Sequence, residues 1–260
     1  MARVLVVSDV HGNLHALRAV LSHAAGWDEI LVLGDLVDYG PRPGEVIDEL
    51  RGLGAKMVRG NHDHAVGYGV DCRCGEATHW LSVWFRENVT LRLLGDGDRR
   101  FLASLPLRLP VEAGGLRGEA VHGAPSNPLY EYLHPWLGEG DLCPRLRPLA
   151  ALRLGGRPAA GGGCPRGFYL VGHTHHQFLR VAGGAVVVNP GSAGQPRDGD
   201  PRAAYALVDT ETGSVTLARV EYDVAATVRE LEELGVPDPY LSALRYMLLN
   251  ARVPPRPRAA

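Results

Sequence analysis

The chain has 260 residues, of which 45% are hydrophobic and 22% charged, and its formal net charge is −2. The proportions are typical of a globular protein with enough chain for a sizeable core. The net charge excludes the strongly basic character of a protein that binds nucleic acid through its overall positive charge. We expect neither a membrane helix nor a signal peptide, because no apolar run is long enough for either. Four cysteines are too few for a disulfide framework, so we expect reduced thiols and a cytoplasmic protein.

The first sixty residues alternate between strand-like and helix-like patterns. Residues 3–7 form a β-branched apolar run, and residues 29–33 and 56–58 resemble it. Apolar residues at helical spacing lie between these runs, at 14–24 and about 46–53. This β-α-β-α-β order predicts a parallel sheet with right-handed crossovers.

The pattern changes after residue 64. Aromatic and apolar residues at roughly helical spacing predict a helical insertion at about 64–110. Strand-like runs resume at 116–121, 168–171, 185–188, 203–208 and 214–220. Two C-terminal helices are predicted at about 224–250. We find no repeat and no linker, so we expect one domain over residues 1–260. The last apolar helix either completes the core or pairs with a second copy, which leaves a homo-oligomer open.

Five short segments place Asp, Asn or His beside glycine directly after a strand-like run. They are SDVHGN at 8–13, GDLVD at 34–38, GNHD at 60–63, HG at 122–123 and GHTH at 172–175. Taken alone, the first two motifs are more typical of a turn or a helix cap than of a site; an Asx-turn is the alternative for GNHD and a solvated loop the alternative for GHTH. Together they predict one site, because the carboxyl ends of parallel strands meet at one edge of a sheet.

The residue types and their spacing point to metal ions. Asp9 and His11 are two residues apart, as are His173 and His175. In an extended chain, residues i and i+2 point the same way, so we expect each pair to hold one ion. The carboxylate of Asp35 has two oxygens with which to bridge two ions. Carboxylate, amide and imidazole ligands without thiolate suit Mn²⁺, Fe or Zn²⁺.

In combination, these segments resemble the calcineurin-like metallophosphoesterase superfamily, whose pattern runs D-x-H, G-D-x-x-D, G-N-H-D/E, H and G-H-x-H. The NPGS sequence at 189–192 is similar to a bacterial branch that includes phosphodiesterases and dinucleoside polyphosphatases. The resemblance implies an α/β fold, namely a four-layer αββα sandwich of two mixed β-sheets flanked by helices.

The resemblance also implies two divalent metal ions, with Mn²⁺ expected first and Fe or Zn²⁺ as alternatives. The ligands implied for one ion are Asp9, His11, Asp35 and His175, and those for the other are Asp35, Asn61, His122 and His173. A water shared by such ions loses a proton and becomes a hydroxide nucleophile. The family further implies His62 as the general acid, oriented by Asp38, because an alkoxide leaving group needs a proton.

We expect a small phosphorylated substrate, a nucleotide among the candidates, and neither a membrane nor a stable nucleic-acid complex as partner. Phosphodiesters are the first choice. The alternatives are a dinucleoside polyphosphate (Ap4A-type) hydrolase, a phosphomonoesterase or protein phosphatase, and, from another class, a non-catalytic metal-binding scaffold. The presence of His62 together with the full ligand set favours an enzyme, because a non-catalytic scaffold would not require both.

The second motif ends in Asp-Tyr-Gly, whereas the eukaryotic Ser/Thr protein phosphatases have Asp-Arg-Gly with a phosphate-binding arginine. We therefore expect the substrate contacts to come from Arg59, Arg197, Arg202 and Tyr39; the alternative for the arginines is a solvated surface position. Aromatic residues including Tyr132 and Trp136 either stack on a nucleobase or pack in the core.

The pair Cys72 and Cys74 lies close in sequence to His64 and His79. This grouping suggests an extra metal site, but the Cys-x-Cys spacing is not that of a zinc knuckle. The role of the two cysteines stays open at this stage.

Overall fold

A computed structural model describes residues 2–146 and 163–255 of the chain. In the described part, the strands are β1 (Arg3–Val7), β2 (Glu29–Val32), β3 (Lys56–Met57), β4 (Arg108–Ala113), β5 (Leu116–Val121), β6 (Gly167–Leu170), β7 (Gln177–Ala182), β8 (Ala185–Pro190), β9 (Ala203–Asp209) and β10 (Val215–Val220).

The helices of the same part include two that follow the first strands, α1 (Leu14–His23) and α2 (Pro43–Gly52). A helical stretch then comprises α3 (Asn61–Tyr68), α4 (Glu76–Phe85), a π-helical segment (Arg86–Thr90), α5 (Leu91–Leu93) and α6 (Asp96–Ser104). The remaining helices are α7 (Glu139–Arg145), α8 (Val224–Glu233) and α9 (Tyr240–Asn250).

The strands form two mixed five-stranded sheets. The first has the order β10-β9-β1-β2-β3, in which β1, β2 and β3 are parallel and β9 is antiparallel to its neighbours. The second has the order β4-β5-β6-β8-β7, in which β5, β6 and β8 are parallel. The parallel strands of each sheet therefore end at the same edge of that sheet, and the predicted motifs follow directly after these strand ends.

Strand β1 is buried on both faces and separates two layers of the core. Val6 points into the space between the sheets, where it packs with residues of both sheets such as Leu31 and Phe168. Leu5 and Val7 point the opposite way, as alternate residues of a strand must, and they pack against Leu17 of α1. Helix α7 covers the outer face of the second sheet. The four-layer αββα fold expected from the resemblance is confirmed.

The sequence identified most of the elements. Strand β1 and β5 have the predicted bounds, and the predicted helices appear at α1, α2, α8 and α9. Strands β4 and β7 and helix α7 were not predicted. Helix α9 packs with α4 and α8 through residues such as Leu244 and Met247, so it completes a hydrophobic cluster, while the oligomeric state stays a prediction.

The expectation of reduced thiols is wrong for one pair of cysteines. Cys143 in α7 and Cys164 form a disulfide bond, whereas Cys72 and Cys74 are free and buried. The disulfide joins the two chain segments on either side of residues 147–162. The cytoplasmic location stays a prediction. None of the helices described here has the length and apolar character needed to cross a membrane.

Candidate metal centre

Seven side chains meet where the parallel strands of both sheets end, and we call this group the candidate metal centre. Its members are Asp9, His11, Asp35, Asn61, His122, His173 and His175, all of which are at most 3% exposed. Residues separated by more than 160 positions thus lie within a few ångströms of one another. The sequence-based expectation that these segments converge agrees with this geometry.

The first half of the centre contains Asp9, His11 and His175. Nε2 of His175 lies 3.2 Å from Oδ1 of Asp9 and 3.4 Å from Nε2 of His11. One carboxylate oxygen and two imidazole nitrogens therefore face a common point, as the ligands of a single divalent ion do.

The second half contains Asp35, Asn61, His122 and His173. Nε2 of His122 lies 3.0 Å from Oδ1 of Asn61 and 3.1 Å from Nδ1 of His173. Its distance to Oδ2 of Asp35 is 3.3 Å. This half offers a carboxylate, an amide oxygen and two imidazoles around a second point.

Asp35 joins the two halves. Its Oδ2 atom, already close to His122, also lies 3.8 Å from Nε2 of His11 in the first half. A single carboxylate oxygen thus lies between two sets of ligand atoms. This is the position that a carboxylate bridging two ions would take.

The backbone that carries these side chains is bent sharply rather than extended. Seven non-glycine residues of this region have φ values between 48° and 68°, namely Asp9, His11, Asp35, Asp38, Tyr39, His173 and His175. Such left-handed conformations are uncommon outside glycine, and strained residues of this kind concentrate at functional sites. The predicted extended-chain geometry is therefore wrong.

The bent backbone also separates one of the predicted pairs. His173 faces His122 in the second half, whereas His175 faces His11 in the first. These two histidines therefore do not share one ion position, contrary to the spacing argument. Asp9 and His11 do lie in the same half.

Three histidine rings are oriented by backbone carbonyl groups. The Nδ1–H groups of His11, His122 and His175 donate to the carbonyl oxygens of Val37 (2.9 Å), Leu33 (2.8 Å) and Gln195 (2.6 Å), respectively. In the neutral ring, a donating Nδ1 leaves the lone pair on Nε2. All three Nε2 lone pairs consequently point into the centre, as metal-binding histidines require.

The inward-facing atoms are almost all hydrogen-bond acceptors. The amide of Asn61 donates outward to the carbonyl oxygen of Cys72 at 2.8 Å, so its Oδ1 atom faces inward. In the part of the chain that the structure describes, Oδ1 of Asp9 is buried without a hydrogen-bond partner. Buried acceptors that face one another without donors are unfavourable, and divalent cations satisfy them. The residues therefore fit a metal site.

Burial and the neighbouring charges together set the protonation of the candidate ligands. Burial lowers the pKa of His11 to about 3 and holds the pKa of His175 well below its usual range, so both rings are neutral at pH 7. It raises the pKa of Asp35 as well, but the neighbouring His122 and His62 outweigh burial and hold that pKa well below its usual range. The neutral rings of His11 and His175 beside an ionised Asp35 are the protonation states that a metal ion needs. Burial lowers the pKa of His122, but the charge of Asp35 raises it to about 9, so this ring would release a proton on binding a metal ion.

His62 lies beside the centre without belonging to it. Its Nδ1 atom is 2.8 Å from Oδ2 of Asp38, and its Nε2 atom is 4.0 Å from Oδ2 of Asp35. Burial lowers the pKa of His62, but the charge of Asp35 and the hydrogen bond to Asp38 raise it to about 9. The ring is therefore oriented by one carboxylate while its other nitrogen faces the centre.

Two residues that the sequence analysis did not identify support this pair. Nη1 of Arg86, in the π-helical segment, lies 3.7 Å from Oδ2 of Asp38, and Oγ of Ser82 lies 3.4 Å from Nδ1 of His62. Both come from the helical stretch after α3, where no glycine-flanked motif marks them. Helical spacing alone does not reveal that this stretch folds back over the site.

Asp63 is a third residue whose role the sequence did not reveal. Its Oδ2 atom accepts the backbone N–H groups of Asp35 (2.8 Å) and Gly60 (2.9 Å), and its Oδ1 atom accepts that of Leu36 (2.8 Å). The backbone at position 60 also lies close to Asp35. Only glycine permits this approach, because a Cβ atom at position 60 would lie 2.0 Å from Oδ1 of Asp35. The start of α3 is thereby fixed against the loop that carries Asp35.

The predicted substrate contacts are divided between two regions. The ring centroid of Tyr39 lies 5.0 Å from that of His11 and 5.2 Å from that of His62. Burial lowers the pKa of His175, and the positive charge of Arg197 lowers it further. Tyr39 and Arg197 adjoin the centre.

Arg59 and Arg202 have partners of a different kind. The guanidinium of Arg59 donates to the hydroxyl of Tyr68 at 3.1 Å and to the carbonyl oxygen of Ala103. Arg202 forms a surface ion pair with Asp200 at 2.6 Å. Their proposed contact with substrate stays a prediction.

Comparison with known proteins identifies the class. Residues 2–213 match the calcineurin-like phosphoesterase superfamily domain. A crystal structure of a metallophosphoesterase from Sphaerobacter thermophilus is 34% identical with a TM-score of 0.69, over 94% of this chain and 98% of that one. The chain therefore belongs to the calcineurin-like phosphoesterase superfamily. It is a metallophosphoesterase, a hydrolase of phosphoester bonds.

Other relatives are more distant or match in part. A hypothetical protein from Pyrococcus horikoshii has the same fold, with a TM-score of 0.74 and 23% identity over 94% of this chain and 98% of that one. An uncharacterised protein of Methanocaldococcus jannaschii is 29% identical over 90% of this chain and 94% of its own length. A symmetrical bis(5′-nucleosyl)-tetraphosphatase of Psychromonas ingrahamii is 41% identical, but over only 22% of this chain and 23% of its own.

The contacts of Asp63 generate a prediction on stability. In Asp63→Asn, one carboxylate oxygen becomes an amide donor that faces backbone N–H groups, so at least one buried donor loses its acceptor. Because such a loss costs about 1–3 kcal/mol, we expect the free energy of unfolding to fall by about 2 kcal/mol, measured as a lower urea midpoint at unchanged slope.

Asp98→Asn is a matched control. Asp98 accepts the N–H group of Gly95 at 3.0 Å at the start of α6, in the same relative position but at an exposed site. We expect less than half the effect of Asp63→Asn. Equal losses in the two variants would show that Asp63 acts only as a helix cap.

Proposed function

We propose that this metallophosphoesterase hydrolyses phosphodiesters with His62 as the general acid. The observation that carries the proposal is the place of His62, which is held by Asp38 on one side and faces the bridging position of Asp35 on the other. An alkoxide leaving group is a poor one, and a protonated imidazole at this point supplies the proton that it needs.

The candidate metal centre is proposed to hold two divalent ions, Mn²⁺ first and Fe or Zn²⁺ as alternatives. Asp9, His11 and His175 would bind one ion, Asn61, His122 and His173 the other, and Asp35 both. When bound, two such ions supply positive charge for the phosphoryl oxygens and acidify the water that attacks phosphorus. The protein's own task is to fix the ligands, which the carbonyl-bound rings and the bent backbone accomplish.

In this role, His62 holds a proton on the ring nitrogen that faces the centre and donates it to the leaving group. Asp38 accepts from Nδ1 and so keeps the second proton on Nε2, the atom that faces the centre. Arg86 adds a buried positive charge behind Asp38, which keeps that carboxylate from taking the proton. Arg197 and Tyr39 are the proposed substrate contacts, because they adjoin the centre.

The ligand assignment predicts a loss of bound metal. After dialysis against Mn²⁺, we expect elemental analysis to find two ions per chain in the wild type and at most one in Asp9→Ala, because one set of ligands loses its only non-bridging carboxylate. Asp200→Ala, which removes a carboxylate from a surface ion pair, should retain both ions. Two ions in Asp9→Ala would remove Asp9 from the centre.

The general-acid assignment predicts an effect that depends on the leaving group. In His62→Ala, we expect kcat to fall by about 10²–10⁴-fold for a 2′,3′-cyclic nucleotide, whose leaving group is an alkoxide. The fall should be much smaller for bis-p-nitrophenyl phosphate, whose leaving group needs no proton. Metal content should stay at the wild-type value.

His64→Ala provides the matched control for His62. His64 lies two residues along the same helix, is only partly buried and packs against Tyr68, so its removal should leave both rates close to those of the wild type. If His62→Ala loses both substrates equally, the residue serves the centre in some way other than by giving a proton.

Dinucleoside polyphosphate hydrolysis is a second candidate, favoured by a stack of aromatic rings beside the centre. The ring of Tyr132 stacks on His173 at 3.9 Å, and His134 stacks on Tyr132 at 5.4 Å and on Trp136 at 4.5 Å. Trp136 is 66% exposed at the outer end of this stack. An exposed indole offers a face for a nucleobase whose phosphates reach the centre.

The second candidate predicts a role for Trp136 in nucleotide binding. Since one stacked base contributes about 1–3 kcal/mol, we expect Trp136→Ala to raise KM for diadenosine tetraphosphate by about tenfold. KM for an alkyl phosphodiester without an aromatic group should not change. Tyr246→Ala, which removes an exposed ring elsewhere, is the control, and an equal KM in the wild type and Trp136→Ala would end this candidate.

A further inference from the structure

The segment between α3 and α4 brings two free cysteines together behind the general acid. The Sγ atoms of Cys72 and Cys74 are 2.9 Å apart, and both residues are buried. Two thiolates that share a tetrahedral zinc ion at the usual Zn–S distance stand about 3.8 Å apart. The separation is therefore shorter than a shared metal ion requires, and it suits two sulfur atoms that can bond to each other.

The backbone between the cysteines holds them in this arrangement. Arg73 has a φ of 48°, a conformation that non-glycine residues rarely adopt. Its N–H group donates to Oδ1 of Asp71 at 2.6 Å, and its guanidinium lies 5.3 Å from the ring centroid of Tyr130. The turn at Arg73 directs both cysteine side chains to the same side.

Of the two cysteines, Cys74 lies nearer to the protein surface. Cys74 is 8% exposed and lines an open surface cavity of about 590 Å³, together with residues that include His79 and Trp80. Cys72 is fully buried beneath it. A small oxidant in solution therefore approaches from the side of Cys74, and the two sulfur atoms are close enough for one to react with the oxidised other.

We propose that Cys72 and Cys74 form a reversible disulfide bond with hydrogen peroxide as the oxidant. One of the two sulfurs, as its thiolate, attacks one peroxide oxygen, and proton transfer gives a sulfenic acid and one water. The sulfur of the other cysteine then attacks the sulfur of this sulfenic acid, so the S–S bond forms and the oxygen leaves as a second water. Two thiols thus lose two electrons and two protons to one peroxide, and a dithiol reverses the reaction by exchange.

The disulfide would act on the candidate metal centre and on the general acid through Cys72. The carbonyl oxygen of Cys72 accepts the amide N–H of Asn61 at 2.8 Å. Its Sγ atom lies 3.3 Å from Oγ of Ser82, which is 3.4 Å from Nδ1 of His62. Shortening the sulfur separation to about 2.05 Å changes both contacts at once, so the oxidised protein is less active. This consequence rests on the proposed function, whereas formation of the bond does not.

Trypsin tests the bond directly, because Arg73 lies between the two cysteines. Cleavage after Arg59, Arg73 and Arg86 places Cys72 in the peptide 60–73 and Cys74 in the peptide 74–86. After peroxide treatment of the folded, metal-loaded chain, mass spectrometry should find these peptides linked, with two hydrogens fewer than their summed mass. A dithiol should restore the separate peptides. Separate peptides throughout, or cysteines oxidised only to sulfinic acid, would overturn the proposal.

Activity gives a second measurement with matched variants. We expect peroxide to lower phosphodiesterase activity of the wild type at least fivefold and a dithiol to restore it. Cys74→Ser should keep its basal activity and resist peroxide, because Cys72 then has no partner. The double variant Cys143→Ala/Cys164→Ala should still respond, since it lacks only the other disulfide.

The variants separate the proposed bond from oxidation of the metal ions. Loss of activity in Cys74→Ser equal to that in the wild type would assign the effect to the metal and overturn the link between the cysteines and the site. If neither form hydrolyses a phosphodiester, the proposed function fails while the tryptic peptides still decide the fate of the cysteine pair. The peptides of the wild type also decide it if Cys74→Ser does not fold.

Discussion

The structure around the strand ends depends on buried acceptors that face one another. Nε2 atoms of His11 and His175 lie 3.4 Å apart with lone pairs directed inward, and a carboxylate oxygen lies beside them. In an apolar interior such an arrangement is unfavourable unless positive charge lies among the acceptors. Two sheets, their bent loops and the carbonyl groups that fix the rings all serve to hold these atoms in place.

Much of the fold and the ligand set could be predicted from the sequence, because both leave local signals. Buried strands appear as apolar runs, and each ligand lies in a short glycine-containing segment that follows one of them. Strand β4 escaped prediction because Pro110 interrupts its pattern and because all of its residues except Ala113 are half-buried or exposed. Strand β7 escaped because it is partly exposed, so its apolar residues do not form a continuous run.

The parts of the site that the sequence did not reveal depend on tertiary contacts. Ser82 and Arg86 reach His62 and Asp38 only because the helical stretch folds back over the first sheet. The separation of His173 from His175 depends on left-handed backbone conformations that no residue-type pattern predicts in Asp and His. Likewise, the disulfide between Cys143 and Cys164 cannot be deduced from the number of cysteines alone.

Asp63 ties the first turn of α3 to the peptide groups of Asp35 and Leu36, and the amide of His62 donates to Oδ1 of Asp35 at 2.9 Å. The proposed proton donor and the proposed bridging carboxylate consequently belong to one structural unit. A transient local opening of this helix would dismantle both together. The geometry of the site therefore depends on the local stability of the first turn of α3, and not only on the stability of the sheets beneath it.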